Sequence, residues 1–234
     1  MSAALDPEFW ARLLGIIVID LTLAGDNALV IALAVRGLPK RQQMFGRLWG
    51  TAGAVGLRVF FIAIATYLLA VPFLQVAGGL LLVWIAVKLV RQTEGEVSPE
   101  HGKAREAMTL RQAVWIIVIA DAAMSLDNVI AVAAAAHGDM WLVVFGIGLS
   151  LPLVVWGSGV LSLLMTRYTW IIWLGGGILG WVAGEMIVQD RGLSAWLPWE
   201  NGWSKTVPAT LALVIGALGW RLDHRARKGV RASA

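Results

Sequence analysis

Cysteine is absent from the 234 residues, which excludes disulfides, iron–sulfur clusters and thiolate zinc sites at once. Histidine is rare: His101, His137 and His224 all fall in expected loops or helix ends, which disfavours a buried imidazole site for zinc or copper. With no His-Glu-x-x-His run and no histidine base for Ser158, an intramembrane hydrolase is the weakest functional class. Charge is also scarce, at 15% of residues against about 25% in a soluble domain. In its place stand 59% hydrophobic residues and a mean hydropathy of +0.75, the composition of a chain that belongs in a bilayer.

A bilayer core needs about 20 apolar residues per spanning helix. Six stretches meet that length: Phe9–Val35, Gln43–Leu69, Pro72–Val90, Arg111–Ala136, Met140–Met165 and Thr169–Val188, with Lys205–Trp220 a shorter seventh. The first is not a cleavable signal peptide, because Asp6 and Glu8 precede it and Asp20 and Asp26 lie inside it. Lysine and arginine concentrate after helices one, three, five and seven, 14 against 3 at the opposite ends, so the N-terminus is expected outside and the C-terminus inside. The basic tail, 221–234, then reads as a topology anchor beside anionic membrane lipid rather than a nucleic-acid arm.

The two halves repeat. Ile16-Ile17-Val18-Ile19-Asp20 followed by Asp26-Asn27 recurs as Ile116-Ile117-Val118-Ile119-Ala120-Asp121 followed by Asp127-Asn128. Gly78-Gly79 with Trp84, Ala86 and Lys88 recurs as Gly175-Gly176 with Trp181, Ala183 and Glu185. The expected architecture is an all-α polytopic membrane protein with seven transmembrane helices: two inverted three-helix repeats, 9–90 and 111–188, plus a C-terminal helix at 205–220. A polar cytoplasmic linker, 91–110, joins the repeats, and an interfacial loop outside, 189–204, precedes the last helix.

Ionised carboxylates at mid-bilayer are costly, so the duplicated Asp-x5-Asp-Asn pattern marks a site that binds something. Positions seven apart on a helix share a face, which stacks Asp20 with Asn27 and Asp121 with Asn128. Asp26 and Asp127 lie about 120° away unless the helix is broken locally, a break that Gly25 would ease and in which Ser125 would bond a freed carbonyl. Carboxylate, amide, hydroxyl and carbonyl oxygens suit a hard divalent cation, Mg²⁺, Ca²⁺ or Mn²⁺, and no organic cofactor is expected. Met124, close to the Asp121 face, reads first as packing and second as a ligand that biases selectivity toward a transition ion. Lys88 and Glu185 occupy matching positions and read as an ion pair across the repeats or as coupling residues; Arg58 reads as a counter-charge for one Asp or a structural partner. The glycines of helices two and six read as close-packing faces, and the Trp residues near helix ends as an interfacial belt.

Asp20 through Asn27, Asp121 through Asn128, the Gly-Gly helix with Trp84 and Lys88, and Gly180–Glu185 together resemble the TerC family of integral membrane proteins, in its YjbE-like, riboswitch-associated branch. The resemblance covers Phe9 to Asp190 and implies a fold related to the LysE superfamily of exporters, a bacterial inner-membrane location and a role in metal homeostasis, chiefly Mn²⁺ export. It carries the family's acidic ligands onto Asp20, Asp26, Asp121 and Asp127, with Asn27 and Asn128 beside them. Many relatives have Glu in place of Asp20, and some have a further acid where this chain has Val118. The leading expectation is Mn²⁺ efflux by alternating access. A membrane partner that delivers metal to exported metalloenzymes, and a LysE-like small-solute exporter, stand as alternatives; a homo-oligomer is compatible with each.

Overall fold

The computed structural model describes residues 10, 13–17, 25–64, 71–91, 108–136, 140–196 and 203–232, and every element among them is helical. The helices are α1 (Gly25–Val35), α2 (Lys40–Ala63), α3 (Leu74–Arg91), α4 (Leu110–Ala136), α5 (Met140–Arg167), α6 (Trp170–Gln189), the short α7 (Arg191–Trp196) and α8 (Trp203–Ala232). Residues 13–17 are helical as well. Leu74–Arg91, Trp141–Arg167 and Trp170–Gln189 are each long and apolar enough to cross a bilayer, and α1 is a shorter apolar helix. The linker residues 92–107 lie outside the described set.

Helix α1 is apolar on every side and is accordingly buried along almost its whole length, from Leu29 to Val35. It forms one core with Leu82, Ile85 and Leu89 of α3, Ile117 and Met124 of α4, and Leu179 and Met186 of α6. Thr109 and Gln112 start α4 with a reciprocal capping box: the Thr109 amide donates to Gln112 Oε1 (2.9 Å) and the Gln112 amide to Thr109 Oγ1 (3.3 Å). At the other side of the bundle, buried Asp190 accepts from the amides of Gln75 (3.1 Å) and Leu193 (2.9 Å), tying the first turn of α3 to α7.

Inter-helix contacts come in reciprocal pairs. Ile117, four residues before Asp121, fills the space that a side chain on Gly50 of α2 would need; Ile16, four residues before Asp20, does the same at Gly146 of α5. Gly79 of α3 is closed over by Ile187 of α6, and Gly176 of α6 by Val90 of α3, each partner eleven residues beyond the glycine that the other helix covers in return. These contacts make α3 and α6 antiparallel. Contacts of Gly46 with Leu110, Gly50 with Ile117 and Gly53 with Val118 make α2 and α4 parallel. Helix α8 lies antiparallel on α6, where Gly180 meets the Leu211 carbonyl and Gly184 meets the Pro208 backbone.

Two expectations change. The last helix continues from Trp203 to Ala232, through the basic residues expected to form a separate tail, because Arg, Lys and Ala sustain a helix and Trp220 and His224 stack on one face of it (ring centroids 4.7 Å apart). Lys88 and Glu185 do not pair: Lys88 Nζ sits 4.9 Å from the Trp84 ring centroid, and Glu185 is exposed. The antiparallel crossing explains this, since the stretch of α6 that meets Gly79 includes Ala183 and Ile187, while Lys88 lies nine residues further along α3, about 13 Å. Of the expected tryptophan belt, Trp10, Trp141, Trp170 and Trp220 are exposed; the side chains of Trp196, Trp199 and Trp203 lie outside the described set.

Candidate functional site

Four helices converge on a polar interior. From α2, Arg58 extends to α4, where its Nη2 meets Asp121 Oδ1 at 2.5 Å and its Nε donates to Ser125 Oγ at 3.1 Å. Ser125 Oγ donates in turn to Asp121 Oδ2 at 3.1 Å, closing a ring of guanidinium, hydroxyl and carboxylate. Arg58 is 5% exposed and Asp121 6%, so neither charge is solvated, and each requires the other. The geometry follows from helical spacing: Asp121 and Ser125 are one turn apart on α4, and the parallel packing of α2 brings Arg58 level with them.

Beside this ring lies a cavity of about 20 Å³, lined by Asn27 and Ile31 of α1, Thr51 and Arg58 of α2, Asp121 of α4, and Ser150 and Leu151 of α5. A single water-sized occupant needs about 10–15 Å³. Asn27 and Thr51 are each 4% exposed, and among the described residues neither the side-chain amide of Asn27, whose backbone N–H is bonded, nor the Thr51 hydroxyl has a hydrogen-bond partner. Buried polar atoms in folded proteins are ordinarily paired, so two orphaned side chains on one small cavity mark a place for a small polar guest. Ser150 is buried too and donates to the Ile147 carbonyl of its own helix at 2.8 Å.

The expected ligands divide. Asn27, Asp121 and Ser125 gather at the cavity and its bordering ring. Asp26 is half-buried in the first turn of α1, its Oδ1 accepting from the Asn27 backbone N–H at 3.0 Å. Asp20 lies outside the described residues; Asp127 and Asn128 sit within α4, but their side chains are outside the described set. Among the described residues no three His, Cys, Asp or Glu side chains form a group. Met124 is buried in the main core and is not among the cavity's lining residues. Of the two arrangements left open for the second motif, an unbroken helix or a local break, the structure has the first, since α4 runs from Leu110 to Ala136. A hydroxyl four residues after an aspartate reaches that carboxylate directly, leaving no freed carbonyl for it to bond.

Thr51 and Ser150 were not among the expected site residues. Thr51 had one sequence signal, its position seven residues before Arg58 and therefore on the same face of α2. Ser150 had none.

A sequence model described as "Integral membrane protein TerC family" matches residues 5–228. The chain belongs to the TerC family. It is 40% identical over 212 residues to the membrane protein YjbE of Bacillus subtilis (strain 168), a match covering 90% of this chain and 95% of that one. It is also 29% identical over 167 residues to YceF of the same organism, covering 69% and 60%. The inner membrane protein YgdQ of Escherichia coli (strain K12) is 28% identical over 141 residues, covering 53% and 58%. No solved structure matches significantly. TerC membership and the apolar helices together make this a multi-pass membrane protein.

Proposed function

We propose that this TerC-family chain is a divalent-cation transporter of the bacterial inner membrane that exports Mn²⁺ through an intramembrane aspartate site. The observation that carries the reading is the cavity beside Asp121: a space for one small occupant, bordered by a buried carboxylate and by two buried side chains with unused hydrogen-bonding capacity. The groups there that can ligate a cation, on Asp121, Asn27 and Thr51, would do so through oxygen, the choice of a hard or borderline divalent ion. Asn27 from one copy of the motif and Asp121 from the other line it, and the reading adds Asp20, Asp26, Asp127 and Asn128 by their place in the same repeats. Ser125 acts by holding Asp121.

The reciprocal contacts, with α3 antiparallel to α6 and α2 parallel to α4, support two three-helix units of opposite orientation related by a twofold axis through the site. Alternating access then follows by rocking of one unit against the other. Export of an amino acid is disfavoured because its carboxylate would need a cation, and Arg58 already holds Asp121.

Purified protein in liposomes loaded with ⁵⁴Mn²⁺ tests the reading. Release dependent on the protein, competed by excess Mn²⁺ and reduced at least about tenfold by Asp127→Ala, is the expected result. Vesicles that retain their load would refute it and favour a partner that needs exported enzymes to receive the metal.

A further inference from the structure

The Arg58–Asp121 pair does more than neutralise a buried acid. Both Asp121 oxygens are engaged, Oδ1 by the Arg58 guanidinium and Oδ2 by Ser125, whose own hydroxyl oxygen accepts from Arg58 Nε. A cation entering the adjoining cavity meets the unpaired Asn27 and Thr51 side chains and one edge of Asp121, but the guanidinium on Asp121 repels it, so it gains the full carboxylate charge only as the guanidinium gives way. The arginine and the incoming ion are competitors for one carboxylate.

The arrangement is also one-sided. Reciprocal packing equates Gly50 of α2 with Gly146 of α5, so the counterpart of Arg58, eight residues on, is Val154, and Val154 itself lines the cavity. Helix α5 carries no charged residue before Arg167 at its end. The packing is thus duplicated and the cation is not: one guanidinium stands at the site, and it is held by Asp121 and Ser125 of the second motif.

We infer that Arg58 is a tethered substitute for the transported ion, holding Asp121 while the site is empty and so allowing the unloaded carrier to return. The inference rests on the transport reading above and adds the step that completes its cycle. An aspartate stripped of its cation resists any movement that carries it through the low-dielectric interior, because bare charge there is unfavourable. With Mn²⁺ bound the site is compensated by the metal; without it, the guanidinium takes the metal's place. The loaded form needs no arginine for its transition, whereas the empty form does.

Two flux measurements on the same proteoliposomes separate the steps. Net efflux into Mn²⁺-free buffer requires the empty carrier to return; ⁵⁴Mn²⁺ exchange with equal Mn²⁺ on both sides uses the loaded form alone. Arg58→Gln should lower the ratio of net efflux to exchange, each measured at saturating Mn²⁺, at least about tenfold. Arg58→Lys keeps the charge and should retain both within about threefold. Parallel loss of both modes in a monodisperse Arg58→Gln protein, or unimpaired net efflux, would overturn the inference while the transport reading stands. Should Arg58→Gln not yield folded protein, Arg58→Lys decides alone: a tenfold fall in its net efflux at normal exchange overturns the role of charge, and wild-type ratios uphold it. Wild-type vesicles inert in both modes would remove the transport reading and this step with it.

Discussion

Replacing Ser125 by alanine deletes one oxygen and two hydrogen bonds, the 3.1 Å bond from Arg58 Nε and the 3.1 Å bond to Asp121 Oδ2. Each involves a charged partner, for which about 1.5–3 kcal/mol is typical in water-soluble proteins. Polar contacts between membrane helices measure less, averaging about 0.6 kcal/mol with a maximum near 1.7, because the unfolded chain in a membrane also finds partners. Two such bonds therefore place the loss between about 1 and 3 kcal/mol, a change of roughly 5- to 150-fold in the unfolding constant. The direct Arg58–Asp121 contact at 2.5 Å survives the substitution, which keeps the loss below the 3–5 kcal/mol expected when one charge of a buried pair is removed. Unfolding by sodium dodecyl sulfate, followed through the 13 tryptophans, reads this difference. Ser158→Ala is the matched control: Ser158 is buried, but its hydroxyl donates only to the Val155 carbonyl of its own helix, a local bond that joins no other element. Equal losses in the two variants would refute the bridging role of Ser125.

Thr51→Val removes an unpaired buried hydroxyl without changing shape, so it should raise stability by about 1 kcal/mol in the same titration and lower ⁵⁴Mn²⁺ efflux several-fold. A destabilised but fully active variant would contradict the assignment of Thr51 to the site. Gly180→Ala places a methyl group against the Leu211 carbonyl, and Gly184→Ala places one against the Pro208 backbone, positions where nothing flexible can yield. Each should cost about 1–3 kcal/mol by forcing α8 away from α6, readable as a lowered melting temperature in detergent, whereas Gly56→Ala, which meets open space, should be neutral or stabilising.

Much of the fold was legible because a bilayer imposes a length rule and a charge rule. Asp121 stood out in the sequence for the same reason that it is paired in the structure: an acid in an apolar helix must be compensated. Arg58 was recognisable as a candidate counter-charge, but its choice of Asp121 depends on the parallel register of α2 and α4, which no local pattern encodes. The expected Lys88–Glu185 pair failed for the complementary reason. In a twofold arrangement of the kind proposed, corresponding residues meet only near the axis; elsewhere, a contact between two residues is matched by a contact between their counterparts. Gly79 with Ile187 and Gly176 with Val90 follow that rule. Thr51 and Ser150 were hidden because a hydroxyl in a membrane helix ordinarily bonds its own backbone, as Ser150, Ser158 and Thr166 do, so its type alone does not announce a site.

Duplicated packing with an unduplicated arginine bears on what the chain can and cannot decide. Under the transport reading, direction is set by a free-energy source, since a static difference between two halves of a protein performs no work. The difference nevertheless controls affinity. When the site opens to one side, the entering ion displaces a guanidinium held by α2; its counterpart on α5, Val154, offers no such competitor. A fully symmetric site would bind equally from both faces and would leave its carboxylates bare between cycles. A single tethered cation breaks that equality and shields one carboxylate in each empty interval, so under that reading Asp121 and the corresponding acid of the first motif, Asp20, are assigned unequal work despite the same spacing. Charge-preserving and charge-removing changes at position 58 should therefore shift the half-saturating Mn²⁺ concentration for exchange by different amounts on the two faces of oriented vesicles. Equal shifts on both faces would mean that the asymmetry of the helices is confined to packing and has no part in binding.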